Sequence, residues 1–152
     1  AVMLDSMEAK MHTMDTAKAG NSSRIVYGNI KFIHEYKKDT MDKETAIFIA
    51  DYGATRKSFE RFISSYRDHN NELVRSKAQI NFLQADLKNN LVREEEFKQY
   101  LSSESLAVTK LHESIDNLQQ WYETTMKTFE ERNPKIEEMI AESEKLKMKS
   151  EK

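Results

Sequence analysis

The chain of 152 residues contains no cysteine and has only one proline and three glycines. The absence of cysteine excludes disulfides, thiolate metal sites and thiol nucleophiles together. With so few glycines, the sequence has neither a glycine-rich phosphate loop nor a Gly-x-Ser-x-Gly nucleophile motif. The sequence therefore lacks the groups for several common catalytic mechanisms. We expect a protein without enzymatic activity and without a cofactor.

The sequence also lacks an excess of charge of either sign and lacks a long apolar run. Lys and Arg number 24 against 26 Asp and Glu, which gives a net charge of −2. Nucleic-acid binding needs a field of one sign over the surface, so we expect no nucleic-acid partner. The longest apolar run, Ala46 to Ala50, is far shorter than the roughly 20 residues of a membrane span. We therefore expect no membrane span either.

An apolar stripe with helical spacing runs from Tyr52 to Ile136. One row recurs every seven residues, and a second row fills the offset of three or four. Only Glu94 is charged in the first row, and the stretch between Ala54 and Asn133 contains no Gly or Pro. This spacing is typical of helices that bury one face. The sequence therefore predicts an all-α protein with one domain over residues 1–152. The first row is Tyr52, Phe59, Tyr66, Leu73, Ile80, Leu87, Glu94, Leu101, Val108, Ile115, Tyr122, Phe129 and Ile136.

Turn-forming residues divide the chain into six predicted helical segments. Gly, Asn, Ser and Asp favour helix ends and caps, and the Asn133-Pro134 pair is typical of a helix start. The predicted breaks lie at 20–22, 39–42, 68–71, 102–103 and 133–134. The resulting segments are 1–19, 23–38, 42–67, 72–100, 104–132 and 134–149.

Two architectures fit these segments. Near-equal lengths with short connections predict an antiparallel helical bundle with long amphipathic helices. If the breaks at 68–71 and 102–103 are absent, the unbroken seven-residue phase predicts an extended coiled-coil hairpin instead. Polar residues at stripe positions, such as His69 and Glu94, favour a break in the helix near each of them. Such breaks favour the bundle. The Lys- and Glu-rich residues 141–152 are expected to form a frayed tail.

Residues 1–19 hold four of the eight methionines, spaced so that they share one helical face. Thioether and imidazole groups suit copper, so Met7, Met11, His12 and Met14 are candidate ligands of a soft-metal site. Methionine also fills apolar stripes and adaptable binding surfaces. That second interpretation is favoured, and it makes Met3 and Met7 candidate interface residues.

No histidine follows the Glu-x-x-His pattern of di-iron helical bundles. The residues three positions before the four histidines are Ala9, Lys31, Tyr66 and Thr109. Trp121 is a separate candidate, because it lies at the edge of the stripe beside Tyr122. It either closes a flank of the core or anchors a protein interface, where Trp is enriched.

The chain as a whole, a small helical protein without cysteine, is similar to the soluble part of small bacterial envelope lipoproteins. The resemblance implies the periplasm rather than the cytoplasm, and a lipid anchor upstream of residue 1. From the residues themselves we expect a non-enzymatic interaction or structural module that binds a protein partner, or another copy of itself, through a helix face. The alternative is the binding of copper or a small ligand through the Met- and His-rich first segment.

Overall fold

The computed structural model describes residues 2–36 and 41–150, with only the backbone described at Val2 and Ser150. These residues are 93% helical and contain no strand. The all-α helical bundle with long helices is therefore confirmed. Residues 39 and 40 of the predicted break at 39–42 lie outside the described residues. The helices are α1 (Val2–His12), α2 (Thr16–Tyr36), α3 (Lys43–Lys88) and α4 (Glu94–Ser150).

Four of the predicted breaks are wrong, because helices run through them. α2 continues through 20–22 and α3 continues through 68–71. α4 continues through both 102–103 and 133–134, with Pro134 inside the helix. The described part of the chain therefore has four helices rather than six. The lengths of α3 and α4 agree better with the very long helices of the alternative architecture.

The residues that suggested breaks serve packing between helices instead. A Cβ added at Gly20 would lie 3.8 Å from Ile63 Cδ1, so the glycine sits close to α3. Asn133 Oδ1 accepts a hydrogen bond of 2.6 Å from the Tyr52 hydroxyl. Proline inside a helix costs about 3 kcal/mol, and we infer that tertiary contacts such as this one offset that cost.

The helix ends that do occur have recognisable caps. Asp15 Oδ1 accepts a hydrogen bond of 2.9 Å from the Lys18 amide at the start of α2. Asn90 adopts a left-handed φ of 57° after α3. The Leu91 amide then donates to the Asp86 carbonyl and the Asn90 amide to the Leu87 carbonyl, which is the Schellman arrangement.

The chain divides into two compact units. Unit 1 comprises Ala1–Met14 and Ser64–Gln120, and unit 2 comprises Asp15–Ile63 and Trp121–Lys152. Each unit takes one part of α3 and one part of α4. The expectation that the whole chain is one domain stays a prediction, which a single unfolding transition by two independent probes would support.

In unit 1, the short helix α1 packs on α3 and α4 through buried apolar side chains and flanking ion pairs. Lys77 pairs with Glu8 and, at 3.4 Å, with Asp5. Lys10 pairs with Asp116 on the other side. The buried apolar residues of this unit are Leu4, Met7, Met11, Met14, Leu73, Leu83, Val108, Leu111, Ile115 and Leu118.

The Lys10–Asp116 pair makes the stability of unit 1 depend on pH. The Lys10 ammonium lowers the pKa of the Asp116 carboxyl. A carboxyl with a lowered pKa in the folded state stabilises that state above its unfolded pKa, and loses this effect as the pH falls through the folded value. When the pH is lowered from neutral to below about 4, we therefore expect the free energy of unfolding to fall less for Asp116→Asn than for the wild type. The difference should stay below about 1 kcal/mol, because the pair is partly exposed.

Urea unfolding between neutral and acidic pH would measure this difference. Glu113→Gln is the matched control, because Glu113 is an exposed carboxylate on the same helix. An Asp116→Asn profile parallel to those of the wild type and the control would contradict the assignment.

In unit 2, α2 and α4 run parallel to each other and antiparallel to α3. Across α3 and α4, the ring of Phe62 lies 5.0 Å from that of Tyr122, while Tyr52 reaches Asn133 further along. From Phe62 back to Tyr52 on α3, the contacts on α4 move forward from Tyr122 to Asn133. The two helices are therefore antiparallel. The buried apolar residues of this unit are Ala19, Val26, Ile33, Ile49, Tyr52, Phe59, Phe62, Met126, Phe129 and Ile136.

One leucine in the first row of the stripe, Leu101 on α4, is exposed, at 39%. It precedes Asp116, the partner of Lys10, by about 22 Å at 1.5 Å per residue. α1 is too short to extend that far, so this part of the stripe lacks its cover.

Residues 141–152 should be removable at little cost. α4 continues to Ser150, but Leu146 and Met148 are both exposed, and residues 151–152 lie outside the described residues. The contact of Lys147 with the Tyr36 ring is an exposed cation–π pair worth about 0.5–1 kcal/mol. We expect deletion of 141–152 to lower the free energy of unfolding, measured in urea, by about 1 kcal/mol. A loss above roughly 2 kcal/mol would mean that the tail packs as part of a core.

Candidate functional site

A groove of about 750 Å³ runs between α2 and α3 in unit 2 and is open to solvent. Along α2 it extends from Val26 to Glu35, about 14 Å at the helical rise of 1.5 Å per residue. Its surface is mainly apolar, and its size is that of ligand-binding clefts. It is lined by Val26, Tyr27, Ile30, Lys31, His34, Glu35, Gly53, Ala54, Arg56 and Lys57.

The groove exists because α3 has its smallest side chains opposite the large ones of α2. Gly53 lies against Ile30, and a Cβ added there would be 3.3 Å from Ile30 Cδ1. Ala54 is exposed beside it. Beside these small residues, Tyr27 of α2 is exposed and Ile30 is partly exposed. A glycine inside a helix costs about 1 kcal/mol relative to alanine, and the close approach of Ile30 is the packing reason for Gly53.

Tyr27 forms one end of the groove and remains 49% exposed. The Arg56 guanidinium lies 4.4 Å from the centre of its ring, and Arg56 Nε is 3.3 Å from Glu60 Oε1. The ring is therefore held by a stacked cation on one face while much of its surface stays in water. Ile25, two residues before Tyr27, is 43% exposed but is not among the residues that line the groove.

Cations predominate among the charged residues of the groove. Lys31 lies on the α2 side, and Arg56 and Lys57 lie on the α3 side. Glu35 is the one carboxylate among the lining residues. The groove thus combines an apolar floor with a positive rim, although the whole chain carries a small negative charge.

Three of the four methionines of the first segment lie in the core of unit 1, away from solvent. Met7, Met11 and Met14 are buried, whereas the His12 side chain is 76% exposed near Glu8. The four copper candidates are therefore divided between a buried and an exposed face. No group of three or more His, Asp or Glu that could hold a metal occurs within 2–36 and 41–150.

The three interface candidates differ in how much surface they offer. Met3 is 46% exposed, but Met7 is fully buried, so an interface through Met7 would require α1 to leave its unit. Trp121 is half-buried, and its indole N–H donates to Ser58 Oγ at 2.5 Å. Ser58 in turn shares a hydrogen bond of 2.7 Å with Thr125. These contacts place Trp121 on the flank of unit 2, and its role in an interface stays a prediction.

A second polar cluster lies within unit 2. The Asn29 amide donates to the Tyr52 hydroxyl at 3.0 Å and to Asn133 Oδ1 at 3.3 Å. Burial raises the pKa of the Tyr52 hydroxyl, so the group is a neutral donor at ordinary pH. The three side chains satisfy one another, and the cluster fixes the register of α2, α3 and α4 rather than offering a reactive group.

The groove was not predicted from the sequence. Its lining residues contain no motif, and only the fold brings Tyr27 and Lys31 beside Gly53. One signal was available, because Gly53 is a helix-breaking residue inside an otherwise strongly helical stretch.

Comparison with known proteins does not assign a function to the groove. No family model, no curated protein and no solved structure matches the chain. Among the described residues, no helix combines the length and the apolar character of a membrane span. The interpretation of the groove therefore depends on its own residues.

Proposed function

We propose that the chain is a non-enzymatic interaction module that binds a helical segment of a partner protein in the groove between α2 and α3. The observation that supports it best is the groove itself, an apolar trough of about 750 Å³ on the outside of unit 2. Apolar grooves of this kind receive amphipathic helices, whose residues at i, i+3, i+4 and i+7 fill the floor.

The shape of the groove favours a helix over a compact ligand. Its walls are two antiparallel helices, and it is open to solvent between them. A third helix can lie along such a trough at the interaxial distance of about 8–10 Å that is usual between packed helices. The small, exposed Ala54 permits that approach, and the exposed Tyr27 offers the aromatic contact that interface hot spots favour.

Site-specific photo-crosslinking in cells of the source organism would test the proposal. A photoreactive residue at Lys57, in the groove, should capture one protein reproducibly. The same residue at Lys127, which is exposed on α4 outside the groove, should not. Ala54→Trp should abolish capture by filling the groove, and Ala17→Trp, at another exposed alanine of unit 2, should leave capture intact. Equal capture from both positions, or capture unaffected by Ala54→Trp, would contradict a groove-bound partner.

The envelope location is a separate part of the proposal. The class resemblance supports it, and fractionation of the source cells with an antibody against the chain would test it. Recovery with the cytoplasmic markers would refute that part and leave the groove proposal unchanged.

A further inference from the structure

We infer that the partner segment is an acidic amphipathic helix, with Asp or Glu on both flanks of its apolar face. This inference rests on the proposed function and names the chemistry of the partner. Its observation is the distribution of charge around the groove: Lys31 stands on the α2 wall and Lys57 on the α3 wall, with the apolar floor between them.

The two lysines are available to a partner. Neither forms an ion pair with any residue in the described part of the chain. Arg56 differs from them, because its guanidinium is engaged by the Tyr27 ring and by Glu60. A ligand that approaches the groove therefore meets two unpaired ammonium groups, one on each side.

Charge complementarity of this kind sets specificity and association rate more than affinity. A helix with acids on both flanks would pair with the two lysines while its apolar face covers the floor. A helix with basic flanks would place like charges opposite each other. Glu35 lies at the far end of the α2 wall from Tyr27, and it is the one carboxylate among the lining residues, which include three cations.

Three synthetic peptides of about 16 residues, near the length at which isolated helices become stable, would test the inference. They share one leucine face at helical spacing and carry Glu, Gln or Lys on the flanks. Binding to the full chain is measured by fluorescence anisotropy. We expect the Glu peptide to bind about tenfold more tightly than the Lys peptide, as two exposed charge pairs allow. The preference should shrink at about 1 M salt, where the Debye length is about 3 Å.

Matched variants identify the residues responsible. Lys31→Glu combined with Lys57→Glu should reverse the order of the Glu and Lys peptides. Lys127→Glu combined with Lys145→Glu makes the same change of charge at exposed positions outside the groove and should leave the order unchanged. Ala54→Trp should weaken all three peptides.

The outcomes separate the inference from the proposed function. Equal affinity for the three peptides, with binding still lost in Ala54→Trp, would refute the acidic partner and leave the groove as a helix-binding site. A preference for Glu that survives the Lys31 and Lys57 changes would also refute the inference. Binding of all three peptides unaffected by Ala54→Trp would refute the groove itself. Displacement of the Glu peptide by dodecanoate at similar concentration would assign the groove to anionic amphiphiles and overturn the choice of a protein helix.

Discussion

Replacing Phe59 by alanine should lower the free energy of unfolding by about 3–5 kcal/mol, as large-to-small changes in cores do. Phe59 is fully buried on α3, and its ring meets that of Phe129 edge-on at a centroid distance of 5.9 Å. The substitution removes this aromatic contact and leaves a cavity where α3 faces α4. Urea or thermal unfolding, followed by the far-ultraviolet circular dichroism signal, would measure the loss.

Arg61→Ala is the control for this change. Arg61 is exposed on the same helix two residues away, and surface substitutions of this kind usually change stability by less than about 0.5 kcal/mol. A Phe59→Ala loss below about 1 kcal/mol, the size typical of an average point mutation, would mean that unit 2 is not packed around this ring.

The second large effect is expected at Met7. Its side chain is fully buried between α1 and the rest of unit 1, so Met7→Ala should destabilise the protein by about 2–5 kcal/mol. Met3 provides a matched control, because it is the same residue type on the same helix but is 46% exposed. Met3→Ala should cost less than about 0.5 kcal/mol.

This pair of substitutions also decides how the methionine-rich segment is used. If Met7→Ala is as mild as Met3→Ala, α1 is not held in unit 1, and its methionines are free to meet a partner or a metal. If the two differ as expected, the helical spacing of the methionines reflects packing within the chain. Thermal melting of the two variants beside the wild type gives the answer.

The sequence was sufficient for the fold class and for most of the buried stripe. Tyr52, Phe59, Val108, Ile115 and Ile136 were assigned to the stripe by spacing alone, and all are buried. The seven-residue period recurs in α3 and α4 because, within each unit, these helices pack through one face. Periodicity records that constraint directly, so it could be recognised without a structure.

The helix boundaries could not be predicted so well, because single polar residues are ambiguous. Asn and Ser stabilise helix ends through local hydrogen bonds, but Asn133 and Ser22 instead contact neighbouring helices. Local preferences are worth about 1 kcal/mol or less, and tertiary packing overrides them. The true turn after α3 had two signals, Asn90 followed by the acidic first turn of α4, where negative charge is favoured.

The groove could not be predicted from the sequence, for a different reason. A groove depends on which side chains two helices place opposite each other, and that depends on how the helices pack together. Tyr27 and Lys31 belong to one helix and Gly53 and Lys57 to another. Their positions in the sequence carry no common motif, so only the packing of α2 on α3 reveals that they share a surface.

Methyl nuclear magnetic resonance of the full chain, titrated with the Glu-flanked peptide, tests the groove most directly. Ile30 and Val26 line the groove and report from its floor. Ile136 is buried in the same unit without lining the groove, and Ile115 is buried in unit 1, so both serve as internal controls. We expect saturable shifts at Ile30 and Val26 with Ile136 and Ile115 unchanged. Shifts absent from the groove methyls, or equally large at the two controls, would contradict the assignment of the α2–α3 groove as the binding surface.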